Sequence, residues 1–258
     1  MLAKIQLTMK PIGESKIDCR AASIMHGALM EIVSEDFANY IHSSNTRPFS
    51  QEFHRRDQEL LWTIKCLDAF AYEQIVPKVM ADDFDNLYLR QKDVTLEIKN
   101  KAIEKTDYDE LFHRCYIHEE AERYIPLTFT SPTAFKSAGQ YINMPTPRLI
   151  FQSLINKYDA TSVKTHLGDD DLLEELEFSV SISRYRLRSI PFYLEGVSIP
   201  AFVGDMVVNV KGNPNMARLA KMLLLYGEYS GVGIKTAIGM GAIQVNDKRN
   251  PKNDTRQD

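Results

Sequence analysis

Gly231-Val232-Gly233-Ile234-Lys235-Thr236-Ala237-Ile238-Gly239-Met240-Gly241 is the stretch from which the rest of the chain is read. Two Gly-apolar-Gly triplets flank five residues, and four of the chain's 12 glycines fall here, so the enrichment is not background composition. Glycine is used where a backbone takes φ > 0, or where another group must approach the main chain closely. Successive exposed N–H groups in such a loop form an anion-binding concavity, and Lys235 adds a cation at its middle. The plainer reading is a tight turn, and a single Gly-x-Gly would support no more than that. The spacing matches neither Gly-x-x-x-x-Gly-Lys-Ser/Thr nor the strand-then-helix dinucleotide fingerprint. Here the order is helix, glycine loop, strand.

Working outward, residues 213–229 carry apolar side chains at helical spacing, and Ala242 to Val245 is a final strand. Upstream, residues 178–190 read as a strand on which Arg184, Arg186 and Arg188 alternate with Tyr185 and Leu187, so the arginines share one face. A second strand covers 199–210 and is interrupted by Gly204; 147–158 and the acidic 167–177 are helical, and 124–130 is a strand. The first half begins with a strand at 4–9 and a single helix over 21–40. A strand at 60–67, a helix at 70–80 that tolerates Pro77 poorly, and a strand at 94–98 follow. Strand–helix–strand–strand–helix–strand is the ferredoxin-like split unit. The predicted class is therefore α+β, with two tandem ferredoxin-like domains at 1–120 and 121–246. Residues 247–258 have almost no apolar side chain and read as a disordered tail.

Composition narrows the functional classes. With 44% hydrophobic and 26% charged residues in 258, this is an ordinary globular chain with no apolar run near the ~18 residues of a membrane span. The N-terminus alternates like a strand and has no signal-peptide core, so a cytoplasmic protein is expected. Cys19, Cys66 and Cys115 are odd in number and widely spaced, which argues against disulfides and against a zinc site and leaves buried thiols. No metal or other cofactor is expected. A net charge of −4 weighs against a protein that coats nucleic acid, yet a local basic stripe would suffice for a specific binder.

The glycine loop, with its helix-loop-strand order, resembles the C-terminal loop of the RAMP superfamily of CRISPR-associated RNA-binding proteins. Within it, the chain resembles the endoribonucleases that cut precursor CRISPR RNA in its repeats. Phe129-Thr130-Ser131-Pro132-Thr133-Ala134-Phe135-Lys136 is similar to that family's Phe-x-Ser-Pro-Thr-x-Phe segment, and residues 147–154 to the helix after it. Phe202-Val203-Gly204 resembles its Phe-x-Gly strand, and residues 42–49 its histidine loop followed by a basic-Pro-Phe stretch. The resemblance runs from the first helix to Gly241. It implies two ferredoxin-like domains, repeat RNA held across the cleft between them, and metal-independent cleavage.

Cleavage without a metal uses the RNA's own 2′-hydroxyl on the adjacent phosphate, leaving a 2′,3′-cyclic phosphate and a 5′-hydroxyl. It needs a base, an acid and a cation. The resemblance puts the catalytic histidine at His42, in a polar loop after the first helix, with His26 or Tyr40 as partner and Arg47 on the phosphate. His54 sits in a basic patch suited to backbone phosphate, while His113, His118 and His166 read as surface. For RNA binding the candidates are Gly231, Gly233, Lys235, Gly239 and Gly241, then the Arg184/Arg186/Arg188 stripe. Arg218 and Lys221 are expected to extend that surface, and Lys136 is a weaker choice. The rival readings are a non-cleaving RNA-binding subunit of a CRISPR effector complex and a small-ligand ferredoxin-like protein. Only cleavage requires His42. Effector-complex subunits and a homodimer are further partners the sequence leaves open.

Overall fold

The computed structural model describes residues 1–13, 22–43, 46–118, 120–168, 170–194 and 196–246. Cys19 and the expected disordered tail lie outside these residues; Cys66 and Cys115 are buried, reduced thiols.

Five antiparallel strands form the first sheet: β1 (Leu2–Pro11), β2 (Phe49–Arg56), β3 (Glu59–Cys66), β4 (Asn86–Leu89) and β5 (Val94–Thr106). Their order is β2-β3-β1-β5-β4. Helices α1 (Ala22–Ile32), α2 (Glu35–Ser43) and α3 (Ala69–Val79) accompany them. Alternation places Ile5, Leu7 and Met9 of β1 in the core, beside Trp62 and Ile64 of β3. Pro77 does not end α3, which runs on to Val79.

The single helix expected over 21–40 is two. Ser34 Oγ accepts from Phe37 N (3.2 Å) and donates to Gln74 Oε1 (2.6 Å), and Glu35 and Asp36 fill the next turn. A capping serine followed by acids is a helix start, and here it overrides the apolar period that runs on through Phe37 and Ile41. His42 consequently sits in the last turn of α2 rather than in a loop after the helix. The basic patch around His54 belongs to the first sheet. It is β2, with Phe49 and Phe53 buried.

A short helix, α4 (Tyr108–His113), and one π-helical turn lead into the second sheet. That sheet holds β6 (Tyr124–Thr133), β9 (Val180–Leu194), β10 (Val197–Val210) and β11 (Ile243–Val245), ordered β11-β6-β10-β9. A side hairpin, β7 (Phe135–Ser137) with β8 (Gln140–Ile142), follows β6. Helices α5 (Pro147–Thr161), α6 (Asp170–Ser179) and α7 (Pro214–Ser230) complete the half. Thr146 and Asn213 cap α5 and α7, each followed by Pro at the first turn.

With β4 set aside as an added edge, the first sheet orders its strands second-third-first-fourth, and the second sheet repeats that order from its other edge. Each half is therefore a ferredoxin-like unit. Their cores interpenetrate. Leu2 and Leu67 pack into the second core, while Ala134, Phe192, Ile199, Ala201, Ala237 and Met240 pack into the first. Among the described residues no helix is long and apolar enough to cross a membrane.

Candidate functional site

The glycine loop begins where α7 stops, at Gly231. Val232 N donates to Gly241 O (2.7 Å) and Gly241 N to Pro132 O (2.9 Å), so the two triplets close on each other and on β6. Ile234 N donates to Ala134 O (3.0 Å), Gly233 N to Ser153 Oγ (2.8 Å) and Ala242 N to Ser131 Oγ (2.8 Å). Most of the loop's N–H groups are thus spent inside the protein, not presented as an open nest. The glycines serve close approach of chain to chain. A Cβ on Gly233 (φ +80°) would lie 2.2 Å from Ala134 O, and one on Gly239 2.5 Å from Ala22 Cβ at the start of α1.

Gln51 ties the loop to the first half. Its Nε2 donates to Ala237 O (2.9 Å) and Ala22 O (3.4 Å), and its Oε1 accepts from Trp62 Nε1 (2.7 Å). Start of α1, strand β2 and glycine loop therefore meet at one buried amide. Ser50 beside it donates to Tyr229 O in the last turn of α7.

Between these elements lies a cavity of about 440 Å³. Thr46 and Arg47 wall it from the first half, Phe135 and Lys136 from β7, one face of α5 from behind, and Gly233 to Ile238 from the loop. Four cations face it: Arg47, Lys136, Lys157 and Lys235. Among the described residues no carboxylate does. In a chain of net charge −4, such a cavity attracts an anion. Lys235 holds a left-handed backbone (φ 56°), a strained conformation for a residue with a Cβ, at the cavity's edge.

Elsewhere, buried cations are paired with acids. Lys65 Nζ lies 2.6 Å from Glu52 Oε1, and His54 Nε2 lies 2.7 Å from Glu52 Oε2. Burial raises the Glu52 pKa, but Lys65 and His54 outweigh it and hold the carboxyl below its ordinary range. His54 is therefore engaged within the protein.

The sequence candidates divide by location. Arg47 and Lys235 meet at the cavity. The backbone of His42 ends α2, five residues before Arg47, and its side chain lies outside the described residues. His26, one turn beyond Ala22, stacks on Phe49 at 6.0 Å, behind the loop. Tyr40 joins an aromatic cluster with Phe37 and Phe70 (6.4 and 5.4 Å) instead of the cavity wall. Arg184, Arg186 and Arg188 are exposed on β9, the edge strand of the second sheet, and do not reach the cavity wall. Arg218 lies thirteen residues before Gly231 on α7, about 20 Å along the axis, so it does not extend the loop. Lys221 is not a surface cation; it is buried against Glu122 (2.9 Å).

The helix at 147–158 was legible in the sequence, but its place in the cavity wall was not. Gln152, Ser153, Asn156 and Lys157 form a polar stripe beside buried Ile150, Phe151, Leu154, Ile155 and Tyr158. That helical spacing was visible, but a polar stripe on a helix ordinarily faces solvent.

Comparison with known proteins supplies an independent line. A family model described as "CRISPR-associated endoribonuclease Cas6" matches residues 127–243. A protein of that description from Mycobacterium tuberculosis is 32% identical over 95% of this chain and 78% of its own length. One from Streptococcus thermophilus is 31% identical over 96% of this chain and its full length. Among solved structures, a Cas6 product complex superposes with a TM-score of 0.80 at 22% identity, covering 95% of this chain and 100% of that one. Thermus thermophilus Cas6 gives 0.75 at 20% identity, covering 95% and 98%. These structural likenesses speak for the fold.

Proposed function

The chain belongs to the Cas6 family of CRISPR-associated endoribonucleases, and on that premise we propose that it cuts precursor CRISPR RNA within its repeats without a metal. The observation that carries this reading is the cavity with Arg47, Lys136, Lys157 and Lys235 around it and no carboxylate among the described residues, walled by both halves. A phosphodiester is the anion it suits. The 2′-hydroxyl attacks the adjacent phosphorus, and the P–O5′ bond breaks. The 2′-proton passes to a base, and the leaving 5′-oxygen takes a proton from an acid. His42 serves one of these roles. His26 is favoured over Tyr40 as its partner, because it adjoins the segment of α1 that touches the glycine loop. Arg47 and Lys235 offset the charge that builds on the phosphate.

Farther along the RNA, Arg184, Arg186 and Arg188 contact backbone phosphates of an A-form stem, which positions the substrate without reading bases. Gly231, Gly233, Gly239 and Gly241 act indirectly, by letting the loop pack. The division at residue 120, a cytoplasmic setting and delivery of product to effector-complex subunits or a second copy belong to the same proposal.

The test is incubation of purified protein with its host's repeat RNA in EDTA, wild type beside His42→Ala. One cut with cyclic-phosphate ends is expected, lost by about 100-fold or more in the variant with RNA binding retained. Tight binding without cleavage in the wild type would identify a non-cleaving RNA-binding subunit instead.

A further inference from the structure

Lys157 is the one lysine around the cavity whose ammonium is spent on the glycine loop. Its Nζ donates to Gly231 O and to Gly233 O, both at 3.0 Å. One turn earlier on the same face of α5, Ser153 Oγ accepts from Gly233 N. The first glycine triplet is therefore gripped by two side chains of α5, from a donor and an acceptor. Behind them, Thr161 Oγ1 donates to Lys157 O (2.8 Å) and is joined to the hydroxyls of Tyr226 (2.9 Å) and Tyr108 (2.7 Å), which makes α5 a stiff base for the grip.

We propose that Lys157 is a positioning residue. By holding the carbonyls of Gly231 and Gly233 against α5, it sets the opposite edge of the loop, with Lys235, at the geometry that receives RNA. This rests on the reading of the cavity as the RNA site. Left to itself, a loop with four glycines at positive φ has many conformations, and fixing it before binding spares the RNA that ordering cost. Two carbonyls at 3.0 Å engage two of the ammonium's three hydrogens. The lysine therefore need not contact the substrate to matter.

Desolvation supports a role other than stability, since it draws the Lys157 pKa down from an ordinary 10.5 to about 7. Among the described residues no carboxylate lines the cavity, and the charged neighbours facing it there, Arg47, Lys136 and Lys235, are all cations. Between those two pH values the unfolded chain binds a proton that the folded chain does not. The cost of burying the ammonium is full below pH 7 and fades as pH rises toward 10.5. The fold keeps this lysine against that cost.

The experiment compares Lys157→Met, Lys157→Arg and Lys235→Ala with the wild type, measuring repeat-RNA affinity, single-turnover cleavage at saturating RNA, and melting at pH 6.5. Lys157→Met is expected to bind RNA about tenfold more weakly or worse. Its saturated cleavage should fall by no more than that of Lys235→Ala, the charge it positions, and its melting midpoint should be equal or higher. Lys157→Arg, which keeps paired donors, should recover most of the affinity. Unchanged affinity in Lys157→Met, beside a weakened Lys235→Ala, would overturn the proposal and leave the RNA site standing. Unchanged affinity in both would remove the site itself, and the proposal with it. A midpoint that falls together with affinity would make Lys157 a structural staple, and an arginine variant as weak as the methionine one would rule out the donor role.

Discussion

The same connection occurs twice in this molecule and is built in opposite ways. In each ferredoxin-like unit, the second helix must return to the last strand. In the first half, residues 80–93 do so from α3 to β5 with an added edge strand, β4, and with Asp82, Asp83 and Asp85 exposed. In the second half, residues 231–242 do so from α7 to β11 with a glycine loop, which has no acid and one outward lysine. The first connection ends a sheet; the second reaches across to α1 and β2 and closes a cavity. Topology assigned both the same task, and local chemistry decided which one borders the cavity. Glycines mark the second because it must pass within van der Waals contact of two other segments, which side chains would forbid.

That contrast breaks most visibly at Gly233. Gly233→Ala drives a Cβ into Ala134 O at a left-handed φ, and should cost at least ~2 kcal/mol of stability along with most RNA binding. Chemical denaturation and filter binding would measure both, and an alanine tolerated in both assays would mean the loop is not packed as described. A milder effect is expected when Arg184, Arg186 and Arg188 are all changed to Ala. Their exposure predicts an unmoved melting midpoint, and a plot of log affinity against log salt whose slope shrinks by about 2. An unaltered slope would confine RNA to the cavity. Smallest of all should be Asp82, Asp83 and Asp85 changed together to Asn. Exposed charges of this kind contribute little, so affinity should change by less than about threefold. A large gain would show that the acidic connection repels RNA directly, and that the two connections flank one binding path.

How far the sequence revealed this can be argued from particular residues. Alternation in β1 and the helical period of α7 were plain, because burial on one face writes itself into residue order. Ser34 was overlooked because the apolar period continues across it, so pattern and cap gave conflicting signals. Lys221 read as a cation extending the RNA-binding surface and Lys157 drew no reading, because their partners, Glu122 and the carbonyls of the glycine loop, are far away in the chain. The glycines announced a close approach but not by what: a ligand and a neighbouring backbone demand the same missing Cβ. Arg47 and Lys235 both line the cavity, while Tyr40 lies in an aromatic cluster with Phe70.

The exchange of core residues between the halves has a mechanical consequence. Ala237 and Met240 of the glycine loop are buried in the first core, and Leu2, at the very start of β1, in the second. A jaw that hinged open would have to pull these plugs from their sockets. The two units cannot behave as doors swinging on the segment between β5 and β6, and neither half expressed alone would keep its own interior dry. The cavity is a notch cut in a single block, so whatever enters it does so without the two halves swinging apart.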